Sequence, residues 1–327
     1  MIKLVACDLD GTLFNSDMIV SKENAEAIHE AQKSGIEFLV ATGRAPKESK
    51  VLLKDAHIHT GFINLNGALV YNTDGELIIK HAIENEKAMQ VINLLHQEHF
   101  YFEILTAEHV YTENLDARIS NIAHLMVDLN PGITFKQAVA ISAGNKSIMN
   151  MTEVSSFKEL FAHSDEEIMK IIAFDSRGHE AFSDVINKMN KMGGLAISSS
   201  SSANIEINAK QAQKGIALLD YAKTRSIKRE EIAAIGDNLN DESMIREAGV
   251  GVAMGNAIPA IKKLAQLETK TNNENGVAAI LKVFIKNRGD QYAVFIAPKP
   301  RKSLWSNSCN RSKWQSSIHC SRKPRQS

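Results

Sequence analysis

The chain has 327 residues, of which 44% are hydrophobic and 23% charged, the balance of an ordinary globular protein. This length suits about two domains. No apolar run reaches the roughly 18 residues of a membrane span, no signal peptide is recognisable, and three cysteines are too few for a disulfide framework. These features argue against fibrous, disordered and membrane-spanning classes and predict a cytoplasmic protein.

The net charge of zero hides an uneven distribution of charge. Residues 288–327 contain nine Lys or Arg and one acid, which leaves residues 1–287 with 29 basic and 37 acidic residues, a net charge of about −8. This acidic body predicts no basic surface for nucleic acid. The basic tail is either an arm that binds nucleic acid or acidic lipid, or a disordered or non-native extension beyond an end near Lys286, and its composition favours the second interpretation.

The first predicted element is a short buried strand that ends at two carboxylates. The mostly apolar run from Ile2 to Cys7 is typical of a strand inside a parallel sheet, and Asp8 and Asp10 follow it. Both side chains can face one cavity, because residues two apart on an extended chain point the same way and ligands bind at the carboxyl ends of such strands. Two carboxylates repel each other, so a divalent cation would keep Asp8 ionised as a nucleophile while Asp10 carries a proton. The alternative is a turn in which these residues bond only backbone groups.

A helix and a second buried strand follow. Apolar residues at helical spacing predict a helix over 22–32 with Ser21 as its N-cap, and residues 36–41 form the strand, which together make a βαβ unit. The strand runs into Thr42-Gly43-Arg44. A hydroxyl beside a glycine at this position suits the binding of a phosphate oxygen, and a plain turn is the alternative.

The third predicted strand, residues 62–65, ends at Asn66-Gly67, where a structural turn is favoured over a role in the site. Residues 70–79 have the pattern of a β-hairpin with Asp74-Gly75 in its turn. His57-Ile58-His59 lacks a third metal ligand nearby, so we expect both histidines at the surface.

Short strands and helices then alternate from about residue 83 to residue 209, which predicts an inserted domain. The expected fold class is α/β: residues 1–82 and 210–287 form a discontinuous, doubly wound parallel-sheet core of Rossmann-like type, and residues 83–209 form an α+β cap. The cap shows no motif that reads a sugar. Four of its charged residues are candidates for its inner face, although exposure to solvent is the favoured interpretation: Glu103, Arg118, Arg177 and Glu206.

A second acidic loop lies near the end of the core. Lys214 begins a predicted helix against the helix dipole, which fits a nearby anion, although a solvated lysine is the simpler explanation. The buried strand 232–236 then ends in Asp237-Asn238-Leu239-Asn240-Asp241. Two acidic loops at the ends of neighbouring strands make an oxygen-rich site, which suits Mg²⁺ and does not suit Zn²⁺.

These residues resemble the four motifs of the haloacid-dehalogenase-like phosphatases, in the same order along the chain. The motifs are Asp8-Leu9-Asp10-Gly11-Thr12, Thr42-Gly43, Lys214 and Gly236-Asp237-Asn238-Leu239-Asn240-Asp241. The resemblance covers about residues 1–287. Asn66-Gly67, the insertion after the third strand and Asn275-Gly276-Val277-Ala278 narrow it to the Cof-type sugar-phosphatase branch. One departure is that residues 209–213 lack the glycine that this family pattern leads us to expect before Lys214.

The resemblance implies a Mg²⁺-dependent phosphatase of small metabolites, with sugar phosphates as the expected substrates. Asp8 would attack phosphorus to form an aspartyl-phosphate, and Asp10 would protonate the leaving group and then activate water. The metal would be held by Asp8, the backbone carbonyl of Asp10 and Asp237, with Asp241 in support. The resemblance also implies a set of groups that bind phosphate oxygens: the Leu9 N–H, Thr42, Gly43, Lys214 and Asn240.

Two other functions would use the same residues. A phosphomutase or phosphotransferase would pass the phosphoryl group to a sugar instead of water, and a regulator would bind a sugar phosphate without catalysis. The presence of Asp8, Asp10 and Asp237 disfavours the regulator. We expect a small phosphorylated metabolite as the partner, no nucleic acid for the body, no membrane, and a monomer or dimer.

Overall fold

A computed structural model describes residues 1–129, 132–144 and 150–289. The strands are β1 (Leu4–Cys7), β2 (Glu37–Ala41), β3 (Gly61–Asn64), β4 (Leu69–Tyr71), β5 (Leu77–Lys80), β6 (Tyr101–Leu105), β7 (Val110–Thr112), β8 (Thr152–Glu153), β9 (Lys170–Phe174), β10 (Leu195–Ser198), β11 (Asn204–Ala209), β12 (Ile232–Gly236), β13 (Val250–Ala253) and β14 (Leu267–Glu268). The helices are α1 (Lys22–Lys33), α2 (Pro46–Leu53), α3 (Asn85–Gln97), α4 (Leu115–Leu129), α5 (Phe135–Ala143), α6 (Phe157–His163), α7 (Ser183–Met192), α8 (Lys214–Thr224), α9 (Glu242–Glu247), α10 (Pro259–Leu264) and α11 (Gly276–Gly289).

Eight strands form a central sheet in the order β14-β13-β12-β1-β2-β3-β4-β5. The strands from β14 to β3 pair in parallel, and the hairpin strands β4 and β5 pair antiparallel at one edge. β1 lies between β12 and β2, with Cys7 opposite Ile235 and Val40. The carboxyl ends of these three strands therefore meet, and the segments after them are brought to one edge of the sheet.

Six strands form a second sheet in the order β10-β11-β9-β6-β7-β8. Its neighbours pair antiparallel except for β7 with β8. All of its strands come from the part of the chain between β5 and α8. A parallel central sheet with helices and a second, mostly antiparallel sheet confirm the predicted α/β fold class.

Two hydrophobic cores fill the space around the sheets. The first packs against the central sheet and includes Leu4, Phe38 and Ile235, which are all within 1% of complete burial. The second packs against the second sheet and includes an aromatic pair, Phe102 and Phe157, with ring centroids 5.2 Å apart. Burial of each such side chain contributes about 1.5–3 kcal/mol, which offsets the conformational entropy lost on folding.

The sequence pattern located most of the elements and misplaced a few boundaries. The predicted hairpin is confirmed, as is the N-cap of α1, where the Ser21 Oγ accepts a hydrogen bond from the Asn24 N–H at 3.1 Å. The helix predicted over 22–32 continues to Lys33, and the strand predicted over 62–65 lies one residue earlier, at Gly61–Asn64.

The predicted tail lies outside the described residues from residue 290 onward. Among the helices of the described ranges, none combines the length and the apolarity that a bilayer crossing requires.

Asn24 joins three separate parts of the fold around the central sheet. Its Oδ1 accepts a hydrogen bond from the N–H of Ala278 at 2.9 Å, and its Nδ2 donates to the carbonyl of Leu13 at 3.4 Å. Ala278 is in the first turn of α11, where N–H groups have no acceptor within the helix. Asn24 is 1% exposed, so water cannot replace it.

We predict that Asn24→Ala lowers the free energy of unfolding by about 1–3 kcal/mol, because a buried N–H loses its acceptor. Chemical denaturation followed by circular dichroism measures this change. Asn187→Ala, on an exposed position of α7, is the matched control and should change stability by less than about 0.5 kcal/mol. Equal effects of the two substitutions would contradict this role of Asn24.

Candidate active site

Asp8 lies at the carboxyl end of β1, in the middle of the central sheet. Its N–H donates to the carbonyl of Ile235 at 3.0 Å, which continues the pairing of β1 with β12. Its side chain is buried, and one carboxylate oxygen accepts a hydrogen bond from the Lys214 Nζ at 2.6 Å. The predicted nucleophile is therefore held by backbone pairing on one side and by an ammonium group on the other.

The turn after Asp8 positions a second carboxylate. Gly11 has a φ of +76°, and a Cβ at this residue would lie 2.6 Å from the Asp237 Oδ2, so both the backbone conformation and the close approach require glycine. The next residue, Thr12, donates a hydrogen bond from its Oγ1 to the Asp237 Oδ1 at 2.9 Å. The first and fourth motifs are thus in direct contact.

Lys214 is completely buried between two carboxylates. Its Nζ lies 2.6 Å from the Asp8 Oδ1 and 2.7 Å from the Asp241 Oδ1. Burial by itself would lower the pKa of Lys214, but Asp241 and Asp8 outweigh it and raise the pKa above its ordinary value. The lysine is therefore charged, and the simpler explanation, a solvated lysine, is wrong because two carboxylates lie at the start of this helix.

Asp241 supports the loop after β12. Its second oxygen accepts hydrogen bonds from the N–H groups of Asp237 and Asn238 at 2.8 and 3.1 Å. Since its first oxygen accepts from Lys214, both oxygens already have protein partners. Asp241 therefore fixes the backbone that carries Asp237.

The three carboxylates of Asp8, Asp237 and Asp241 form a cluster whose oxygens lie within 4.8 Å of one another. With Lys214 as the ammonium that contacts this cluster, three negative charges face one positive charge, and two remain uncompensated. Burial, followed by repulsion from Asp241, raises the pKa of Asp237 to about 7 and raises the pKa of Asp8 well above its ordinary value. A hard divalent cation fits this all-oxygen set, because it would supply the missing charge.

Asp10 does not join this cluster. Its two carboxylate oxygens accept hydrogen bonds from the Nε and Nη2 of Arg44 at 2.7 and 2.6 Å. Such a bidentate pair fixes the orientation of both side chains. The predicted acid and base is thus paired with Arg44, whereas the predicted nucleophile is paired with Lys214, and both line one cavity.

The residues predicted to bind phosphate occupy two kinds of position. Gly43 and Asn240 line the same cavity as Asp8 and Asp10. Thr42 is buried beside it and its Oγ1 accepts a hydrogen bond from the Arg44 N–H at 3.1 Å, while Leu9 is buried at the start of the turn. Lys214 contacts Asp8 but does not itself line the cavity. The structure therefore gathers all four motifs around the end of β1.

The cavity has a volume of about 320 Å³ and lies between the two sheets. The central sheet contributes the end of β1 and the loops after β2 and β12. The opposite wall comes from the second sheet and combines apolar side chains with paired charges. Its apolar members are Leu105, Val110, Met151, Ile172 and Phe174.

A buried ion pair joins the second sheet to the central one. The Lys170 Nζ lies 2.7 Å from the Glu206 Oε1 and donates a hydrogen bond to the carbonyl of Gly43 at 3.1 Å. Glu206 also accepts a hydrogen bond from the Asn66 Nδ2 at 2.6 Å. A Cβ at Gly43 would lie 3.1 Å from the Asn66 Oδ1 and 3.2 Å from the Lys170 Nζ, so these side chains pack closely against this glycine.

Exposure to solvent, the favoured interpretation of the charged cap residues, is wrong for three of the four. Glu103 and Glu206 are 4% and 2% exposed, and Arg118 lies with its guanidinium 4.5 Å from the centre of the Phe174 ring. All three line the cavity. Arg177 is exposed as expected and pairs with Asp175.

Sequence reasoning missed the roles of Arg44, Lys170 and Asn66. Arg44 directly follows two residues assigned to phosphate, and its place at that strand end was a usable signal. Lys170 begins its strand and Glu206 is a polar position of an alternating strand, so nothing local shows that they are buried or that they pair. His57 and His59 are exposed, and the Asp cluster is the sole group with metal-ligand spacing in the described part of the chain.

Comparison with known proteins agrees with the four motifs. A model of the haloacid dehalogenase-like hydrolase family matches residues 5–281. The phosphatase YwpJ of Bacillus subtilis is 37% identical over 290 residues, which cover 86% of this chain and 99% of that protein. The 5-amino-6-(5-phospho-D-ribitylamino)uracil phosphatase YwtE of the same species is 32% identical over 280 residues, 85% of this chain and 96% of that protein.

Solved structures show the same similarity. A haloacid dehalogenase-like hydrolase from B. subtilis superposes with a TM-score of 0.75 at 35% identity, covering 86% of this chain and 99% of the other. The phosphatase BT1666 from Bacteroides thetaiotaomicron superposes with a TM-score of 0.70 at 28% identity, covering 87% and 95%. The family model spans most of the chain, and the similarity to these phosphatases extends along nearly their whole length. This chain therefore belongs to the haloacid dehalogenase-like hydrolases and is a phosphatase of that family.

Proposed function

We propose that this phosphatase is Mg²⁺-dependent and hydrolyses phosphate monoesters of small metabolites, sugar phosphates in particular, through an aspartyl-phosphate at Asp8. One observation carries the proposal: Asp8 lies at the cavity, is fixed by Lys214, and belongs to a carboxylate cluster that lacks two positive charges. This arrangement provides a positioned nucleophile, a charged lysine and a cation site at one point.

The residues that would hold Mg²⁺ are Asp8 and Asp237, with the backbone carbonyl of Asp10 as the third protein group. When bound, the ion neutralises charge on the phosphoryl group and on the carboxylates. Asp241 contributes by orienting Asp237 and by balancing Lys214, because both of its oxygens are already engaged.

In the proposed reaction, a carboxylate oxygen of Asp8 forms a bond to phosphorus while the bond from phosphorus to the ester oxygen breaks. Asp10 donates a proton to that departing oxygen and later accepts one from the water that hydrolyses the aspartyl-phosphate. Gly43 and Asn240 line the same cavity and would bind phosphate oxygens there.

The size of the cavity supports a small leaving group. Its volume of about 320 Å³ is at the lower end of the range of roughly 300–1,000 Å³ that holds small-molecule ligands. We propose that the second sheet acts as a cap, with residues 83–209 forming the substrate domain. Its wall excludes water and orients the part of the substrate that does not react.

We predict that the protein releases phosphate from sugar phosphates with Mg²⁺, and that EDTA or Asp8→Asn lowers this rate by at least about 1,000-fold because nucleophile and charge balance are lost. A phosphate-release assay on a panel of phosphorylated sugars, nucleotides and 5-amino-6-(5-phospho-D-ribitylamino)uracil measures it. The assay contains no added sugar acceptor, so the release of phosphate reports hydrolysis and not transfer of the phosphoryl group to a sugar.

Asp55→Asn, at an exposed position after α2, is the control and should retain full activity. Release that persists in EDTA would contradict the metal requirement, and release that persists in Asp8→Asn would contradict the covalent route. Release that occurs only after a sugar acceptor is added would favour the phosphotransferase.

We predict that Lys214→Met lowers kcat by at least about 100-fold, because the ammonium that fixes Asp8 is lost and two buried carboxylates lose their partner. Steady-state kinetics at saturating Mg²⁺ and a thermal melt test this together. The control is Lys210→Met, an exposed lysine four residues earlier. Wild-type kcat in a folded Lys214→Met protein would contradict the role of this lysine.

A further inference from the structure

The charged side chains around the cavity limit the charge that the leaving group of the substrate can have. We infer that the enzyme selects monophosphates with a neutral, hydroxyl-bearing leaving group and rejects substrates with a second phosphate, and that Glu48 is the residue that discriminates. The inference rests on the proposed function and specifies its substrate class.

Every cation that lines the cavity within the described residues already has a carboxylate partner. The pairs are Arg44 with Asp10 at 2.6 Å, Lys170 with Glu206 at 2.7 Å and Arg118 with Glu103 at 3.0 Å. A second phosphate would need an unpaired cation or a row of free N–H donors. The second-sheet wall offers paired cations only, so it does not compensate another dianion.

Glu48 lines the same cavity, and its charge contributes to the raised pKa of Arg44, but no cation forms an ion pair with it among the described residues. It belongs to the first turn of α2, and its carboxylate makes no hydrogen bond or ion pair with another described residue. The N-cap of α2 is Ala45, so no side chain caps the start of this helix. The Glu48 carboxylate therefore lines the cavity without a hydrogen bond or ion pair that would fix it to the protein.

The charge of Glu48 reaches the opposite wall. Burial is the largest cause that raises the pKa of Glu103, and Glu48 contributes to the same shift. A phosphate placed between the two walls would therefore meet two carboxylates, one of them unpaired. A sugar hydroxyl in the same place donates a hydrogen bond to either carboxylate, which is a favourable interaction.

Binding of matched sugar phosphates tests this without any need for turnover. Calorimetry on Asp8→Asn protein with Mg²⁺ compares fructose 6-phosphate with fructose 1,6-bisphosphate, and glucose 6-phosphate with glucose 1,6-bisphosphate. In at least one pair, we expect the monophosphate to bind at least about tenfold more tightly than the bisphosphate, because the Glu48 carboxylate repels the second phosphate.

Glu48→Gln in the same background should reduce this preference at least about threefold, by strengthening the binding of the bisphosphate while the monophosphate changes less than about twofold. A purely structural role of Glu48 in α2 would weaken both ligands alike. Glu86→Gln, an exposed first-turn glutamate of α3, is the matched control and should leave the preference unchanged.

Three results would overturn the inference: a bisphosphate that binds as tightly as its monophosphate in both pairs, a preference that Glu48→Gln leaves intact, or no measurable binding of either monophosphate. The proposed function fails by a different result, the absence of metal-dependent phosphate release from any ester by the wild-type protein. The two failures are therefore distinguishable.

Discussion

The balance of buried charge at Lys214 is the constraint on which the site depends. An ammonium group buried between two carboxylates is stable only if both partners stay in place, because an unpaired buried ion costs several kcal/mol. Asp8 and Asp241 follow the neighbouring strands β1 and β12, so the same contacts fix the ends of both strands. Moving any one of these three groups would therefore leave another buried charge without its partner.

The chemistry of the central sheet was readable from local sequence. Apolar runs that stop at Asp8 and at Asp237 identify buried strands with acidic ends, and the parallel order of such strands places their ends together. The position of Lys214 at a helix start was a weaker signal, because a solvated lysine explains it equally simply, and the resemblance to the family motifs supplied its role. Each of these signals lies within a few residues of the side chain that it identifies, which is why the α/β fold class and the four-motif site could be predicted together.

The opposite wall could not be predicted in the same way. Lys170 and Glu206 are 36 residues apart, and they meet because β9 and β11 pair antiparallel. The sequence of β11 alternates polar and apolar residues from Asn204 to Ala209, which predicts one face exposed to solvent, but all six residues are buried. The favoured interpretation of Glu206 as a solvated charge failed for this reason: its partner is supplied by tertiary structure.

The close approach at Gly43 has a mechanical consequence. This residue is not among the positive-φ glycines, so the space around position 43, and not its backbone conformation, favours glycine. A methyl group there would press on the Asn66 Oδ1 and the Lys170 Nζ and displace them by a few tenths of an ångström. The size of one residue in the loop after β2 therefore acts on an ion pair of the second sheet.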